Sequence, residues 1–296
     1  MPSYNHERYI ARSIESVLDQ TFPDLELIVV DDASRDGSVE IIGRYLRKDS
    51  RVRAVCHESN QGIARTLNEG IELATGQFIA FLASDDVWAE HKLEKQMGVL
   101  GRDENMVVWS EGEIIDGGGR PLGQTFTALL RARGKRKAGR IFSELLPGNY
   151  IFGSSLIMKR DNLRDIRFDT GLKYLNDFSF YLDLSAKYDF YFFDEPLVRY
   201  RLHGTNSTGR EPDVWDRETL MMYDRILAKY GPVISKRLRS RLLCLSSLAY
   251  SRMGKPGMAI RALCKGIMAY PIHAYYLVLL CKHIARNARG RDYRVT

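Results

Sequence analysis

Two pairs of adjacent aspartates, Asp31-Asp32 and Asp85-Asp86, follow short apolar runs at Leu25 to Val30 and Phe78 to Leu82. Carboxylate pairs leaving neighbouring strands would share one crevice, and four like charges there call for cations or hydrogen-bond donors. A divalent ion such as Mg2+ or Mn2+, held by one or two carboxylates and by substrate phosphate oxygens, is the usual solution. A single aspartate at a strand end is as readily a turn former or helix N-cap, so the pairs take their meaning from what surrounds them.

The elements that must position them alternate in period. Residues 7–20 place Ile10, Ile14, Val17 and Leu18 at helical spacing, and the β-branched run ending at Val30 reads as a buried strand. Helical periodicity returns over Val39 to Leu46 and Gly62 to Ala74, with strands expected at Val52 to Cys56 and Phe78 to Leu82. This β/α rhythm predicts an α/β fold: a mostly parallel sheet flanked by helices, with ligands at the carboxyl ends of the strands. Farther on, Val107 to Trp109 reads as a strand and Asp116 to Gly119 as a turn. The loop 131–140, RARGKRKAGR, has six basic residues in ten and is expected to be mobile without ligand. Tyr188 to Tyr200 is β-prone with Pro196 inside it, which suggests an edge strand or a strand pair. From 213 onward the pattern is helical, and 248–271 reads as a helical hairpin.

The ordered elements PSYN (2–5), the strand entry QTFPDLE, VVDDASRDGS, the spacing N-x-G-x5-N-x-G from Asn60 and the SDD cluster after an apolar strand resemble the family 2 glycosyltransferases of GT-A fold. The resemblance covers about residues 1–210. It implies an inverting nucleotide-sugar transferase, with Tyr4, Glu7 and Asp32 around the donor base, Asp32 accepting the ring N–H of a uracil. It further implies Asp85 on the ribose, Asp86 on a Mg2+ or Mn2+ ion that bridges the diphosphate, and Arg65 as a donor contact. Asp177, in YLNDFSFYLDLSAK, matches the general base, with Asn176 where the family commonly has Glu. VRYRLHGTNST (198–208) resembles the family's Y-R-x-H element, making His203 a metal or diphosphate ligand and Arg201 a weaker phosphate contact. Ala83 stands where many members have another aspartate. The family's first strand ahead of PSYN is expected to be missing, since the chain begins at Met1-Pro2.

Composition bounds the remainder. A chain of 296 residues can bury a full core, and the division expected is a transferase domain over 1–210 with a basic helical region over 211–296. Four dispersed cysteines without C-x-x-C spacing read as reduced, buried thiols. The net charge of +7 divides into +12 over residues 232–296 and −5 before them. An acidic body with a basic tail is unlike a nucleic-acid-binding surface; it suits association with an anionic membrane surface, and a solvated basic face accounts for it equally. The ten-residue apolar run 272–281 is too short to span a bilayer and would lie in the interface or pack on the hairpin. No secretory signal is visible, so the expected location is cytoplasmic, peripheral at the inner membrane face if the tail binds lipid. The partners expected are a nucleotide-sugar, most simply a UDP-sugar, and a saccharide or lipid-linked acceptor in bacterial surface polysaccharide or lipopolysaccharide synthesis. No G-x-G-x-x-G follows a strand, against a dehydrogenase, and a glycoside hydrolase has no use for the nucleotide pattern. A catalytically degenerate nucleotide- or partner-binding protein is the alternative.

Overall fold

A computed structural model describes residues 1–132, 134–204, 206 and 211–271. The described chain divides into two compact units, one of Met1–Leu145 with Asn149–Asn206, the other of Leu146–Gly148 with the chain from Ser207 onward.

The first unit opens with β1 (Pro2–Ser3), α1 (Ile10–Leu18), β2 (Leu27–Asp31), α2 (Ser38–Lys48), β3 (Val52–Cys56) and α3 (Ile63–Leu73). The strands pair parallel in the order β1-β2-β3, with Ser3 beside Asp31 and Asp31 beside Cys56. Strand β1 is two residues long and lies within PSYN, and the Met1 carbonyl extends its pairing by accepting from Val30 N at 3.0 Å. All five residues of β2 are buried, as a strand covered on both faces requires. Helix α1 presents Ile10, Ile14 and Val17 to the core on one stripe.

A second sheet has β4 (Phe78–Ala80), β8 (Ile157–Lys159), β6 (Val107–Ile115), β9 (Phe190–Arg201) and β5 (Val87–Trp88) in that order, with β7 (Pro121–Thr125) added to β6. Only β6 and β9 run parallel here; the other pairs are antiparallel. The parallel rhythm thus describes the first half of the unit, and the second half is mixed. Helix α4 (Lys92–Leu100), the single turns α5 (Phe126–Leu129) and α6 (Phe142–Leu145), and α7 (Asn176–Lys187) complete the unit, together with 3-10 turns at Gly153–Ser155 and Arg160–Leu163. Strand β9 is no edge strand, since β6 and β5 flank it. Pro196 is accommodated because the β6–β9 register shifts beside it, between Ser110 and Gly112, where a ladder bond can be spared. Trp109, Phe180 and Phe190 are fully buried in this half.

The second unit contains α8 (Pro212–Tyr230), α9 (Lys236–Arg252) and α10 (Pro256–Ala269), the helical C-terminal region expected. Helices α9 and α10 form the anticipated hairpin, turning through Gly254 at φ +69°, and pack Cys244, Ala259 and Leu263 together. A Cβ on Gly266 would lie 2.8 Å from Cys244 Sγ, so only glycine lets the helices approach there. Arg252 grips Asp216 of α8 with Nε and a terminal nitrogen. Of the described cysteines, Cys56 and Cys264 are exposed and Cys244 is buried, because the first ends a strand and the second is on the outer face of α10. The apolar run 272–281 and Cys281 lie outside the described residues, among which no helix is long and apolar enough to cross a membrane.

Candidate functional site

The carboxyl ends of β1 and β2 are knit together before any ligand is considered. Asp31 accepts from Ser3 Oγ at 2.8 Å, Ser34 Oγ at 2.7 Å and Ser34 N at 2.8 Å, and is fully buried. It is a turn anchor. The next residue faces the other way. Asp32 Oδ1 accepts from Gln61 N at 2.6 Å and lies 2.8 Å from His57 Nδ1, while Oδ2 accepts from Gly62 N at 2.8 Å. Gly62, at φ +87°, turns these amides inward as α3 begins. The other ring nitrogen of His57 is 2.7 Å from Glu69 Oε2, so only the doubly protonated ring can donate to both carboxylates. Burial would lower the His57 pKa, but the bonds and charges of Asp32 and Glu69 outweigh it and raise the value.

The other residues expected at the donor base are placed as follows. Tyr4 is 46% exposed, leaving its ring face accessible. Glu7 Oε2 accepts from Gly37 N at 2.6 Å, which ties it to the start of α2. Exposed Arg65 makes one bond, to Gln61 Oε1 at 3.2 Å.

The second acidic pair is held by α1 and by the turn at Gly153–Ser155. Ser13 Oγ reaches the carbonyls of Ser84 and Asp86 at 2.9 and 2.7 Å, and its single proton serves one at a time. Gln20 grips Ala89 O and Leu93 N beyond the pair. Asp86 points into the protein: Oδ2 accepts from Ser154 Oγ at 2.5 Å, Oδ1 from Arg201 N at 3.0 Å, and the residue is 1% exposed. Burial and the adjacent Asp85 push its carboxyl well above the usual range. Asp85 points to the crevice instead. One of its oxygens lies with a ring nitrogen of His6 and one of His203, all within 4.8 Å of one another, and His203 Nε2 is 3.0 Å from Asp85 Oδ2.

Among the described residues the group able to hold a metal ion contains Asp85 and not Asp86, which turns to Ser154 and Arg201 and is 1% exposed. His203, the histidine expected as a metal or diphosphate ligand, is in that group. His6, absent from the expected set, joins it, its Nδ1 fixed 2.8 Å from Ser84 Oγ. Its signal was present in the sequence: a histidine directly after PSYN, whose relevance needed contacts across 78 and more residues. Burial lowers the His6 pKa, partly opposed by the Asp85 charge, and a neutral imidazole is the form that ligates. Two imidazoles and one carboxylate can hold a divalent ion, and suit Mn2+ better than the all-oxygen preference of Mg2+. His203 is held in turn by Asn206, whose Oδ1 accepts from His203 N at 2.6 Å, and by Tyr9, whose ring lies 4.7 Å away. Arg201 is a brace: Nε donates to Asp85 O at 2.8 Å and its guanidinium covers the Tyr9 ring.

Asp177 sits in the first turn of α7. Its Oδ1 accepts from Phe178 N at 2.6 Å, and Oδ2 accepts from Asn149 Nδ2 at 3.2 Å. Burial raises its pKa to about 6, with these bonds opposing the rise, which poises the carboxylate for proton abstraction near neutral pH. Asn176 does not stand in for a second acid: it is buried and bonds the Lys173 carbonyl at 3.1 Å. The Tyr181 hydroxyl, one turn beyond Asp177, touches Gly153 so closely that a Cβ there would collide with it. Gly153 precedes the Ser154 that bonds Asp86, so one tight turn links the Asp85-Asp86 segment to α7.

The loop 131–140 is fastened in place. Tyr150 OH donates to Arg136 O at 2.7 Å, Trp109 Nε1 to Lys137 O at 2.9 Å, and Gly139 exchanges backbone bonds with Phe190.

The chain is similar to known glycosyltransferases. The sequence profile of glycosyl transferase family 2 matches residues 1–167. An uncharacterized glycosyltransferase of Haemophilus influenzae is 34% identical over 183 residues, 62% of this chain and 69% of the relative. The Escherichia coli UDP-Glc:alpha-D-GlcNAc-diphosphoundecaprenol beta-1,3-glucosyltransferase WfgD is 40% identical over 116 residues, 39% of this chain and 45% of WfgD, so the match spans less than half of that enzyme. The crystal structure of Staphylococcus aureus TarS 1-349 in complex with UDP-GlcNAc superposes with TM-score 0.67 at 20% identity, over 99% of this chain and 91% of that one.

Proposed function

The chain belongs to glycosyl transferase family 2, and from that premise we propose that it transfers a sugar from a UDP-sugar to an acceptor hydroxyl, with inversion, during assembly of a bacterial cell-surface polysaccharide. The observation that carries the reading is the convergence of His6, Asp85 and His203 at the strand ends, beside a backbone cradle at Asp32 suited to a nucleobase. Asp32 takes the imide N–H of uracil on a remaining carboxylate lone pair, and Tyr4 offers its exposed ring to the base. Asp85 and the two histidines would hold Mn2+ or Mg2+, which when bound would supply Lewis-acid neutralisation of the departing diphosphate.

The acceptor hydroxyl gives its proton to Asp177 as its oxygen attacks the anomeric carbon, opposite the breaking bond to the β-phosphate oxygen. A base with pKa about 6 is ionised at neutral pH yet basic enough to share the proton in the transition state. Asn149 aims its carboxylate. The partner classes named for WfgD support a lipid-linked acceptor. Residues 1–210 form the catalytic part, with helices α8, α9 and α10 in the basic region that follows.

Incubating the protein with UDP-glucose or UDP-GlcNAc and Mn2+, and following UDP release, tests the donor assignment. Metal-dependent release that disappears in Asp85→Ala supports it; no UDP binding or release with either donor overturns it.

A further inference from the structure

The basic loop between α5 and α6 has no part in the donor site, and its construction calls for an explanation. A run of cations is ordinarily a solvated face and needs no fixed backbone. Here two fully buried aromatic residues, Trp109 and Tyr150, spend their only side-chain polar atoms on the carbonyls of Lys137 and Arg136. Arg131 is held at φ +53°, a conformation side chains avoid, between its own bond to Ala128 O and that of Ala132 N to Thr127 O at 2.7 Å. Lys137 is drawn over the Phe192 ring at 4.6 Å, and Arg140 pairs with Asp189 at 2.7 Å. Among the described residues no carboxylate is paired with exposed Arg131 or Arg136 or with Lys137. Arg131 and Arg136 are therefore exposed cations on a braced backbone, with no carboxylate paired to either among the described residues.

Its position relative to the base is equally specific. Tyr150, which holds Arg136, directly follows Asn149, which bonds Asp177. Phe190, which holds Gly139, begins the strand after the base helix. The second half of the loop is thus fastened at Arg136 to the residue after Asn149 and at Gly139 to the strand that follows α7.

We propose that the 131–140 loop binds the phosphate of a phosphate-bearing acceptor, a sugar diphosphate in the simplest case, with Arg131 and Arg136 as its principal contacts. This rests on the transferase reading, in which the acceptor hydroxyl meets Asp177. Guanidinium groups suit the task because two N–H donors can meet two phosphate oxygens at once. A neutral saccharide acceptor would leave the charges unanswered.

Butyl diphosphate, which has no sugar, is the probe, titrated calorimetrically into the full chain with the donor site saturated by UDP and Mn2+. Saturable binding is expected, weakened about tenfold or more in Arg131→Gln/Arg136→Gln and weakened further by salt. No binding to the unaltered protein, or equal affinity in the double variant, overturns the proposal. The UDP affinity of the double variant shows whether it has folded, and a more conservative Arg→Lys pair should recover part of the binding. Failure of UDP to bind the unaltered protein would count against the donor assignment instead, and the butyl diphosphate comparison would still decide the loop.

Discussion

The two acidic pairs look alike in sequence and behave oppositely. In Asp31-Asp32 the first residue is buried as a turn anchor and the second faces the crevice; in Asp85-Asp86 the first faces the crevice and the second is buried. The difference follows from the backbone. Asp31 is still in strand β2, where alternation puts its neighbour on the other side. β4 ends at Ala80, and an irregular segment supported by Ser13 and Ser154 decides which carboxylate turns outward. The pairs also differ in compensation. Asp32 is answered by two amides and a histidine, whereas burial first and the charge of Asp85 second raise the Asp86 carboxyl.

The largest effect that would sharpen this contrast is in activity. Asp85→Ala should lower metal-dependent UDP release by about a thousandfold, the scale of losing electrostatic stabilisation of a leaving group. Asp86→Ala should instead lower the melting temperature, by removing the acceptor of Ser154 and Arg201 at about 2–3 kcal/mol. Equal loss of activity with equal stability in the two would erase the distinction. Next comes Asp177→Asn, expected to cut turnover by about a hundredfold to ten-thousandfold while UDP affinity holds. The unaltered rate should climb with pH through about 6 as the base ionises and then level, and the variant should lose that limb.

His57 gives a smaller, pH-dependent effect of opposite sign. Its folded pKa is raised, so its bonds to Asp32 and Glu69 are fully present below the ordinary histidine value and fade as pH rises through the folded one. UDP affinity and stability should both fall on that alkaline side, by about 1 kcal/mol, and His57→Gln should flatten the dependence. The smallest change is Arg65→Ala, within about 0.5 kcal/mol in UDP binding because its one contact is an exposed bond. A tenfold loss would place Arg65 in the donor site after all.

Much of the scaffold was legible because its signals are local. The periodicities of Ile10-Ile14-Val17, Val39 to Leu46 and Gly62 to Ala74 and the apolar runs between them were enough for α1 to α3 and for β2, β3 and β4. What escaped depends on contacts between distant segments. Which aspartate of each pair turns outward is set by Ser3, Ser13, Ser34 and Ser154, whose hydroxyls carry no sequence period. His6 and His57 become relevant only once β1, α3 and the Asp85 loop meet. The mixed second sheet was hidden because β5 and β8 are two or three residues long, too short for a pattern.

Anomalous diffraction at the manganese edge, from crystals grown with UDP and Mn2+, tests the central claim most directly. The account predicts a peak among His6, Asp85 and His203, with Asp86 still bonded to Ser154. A peak coordinated by Asp86, or by neither histidine, would contradict it.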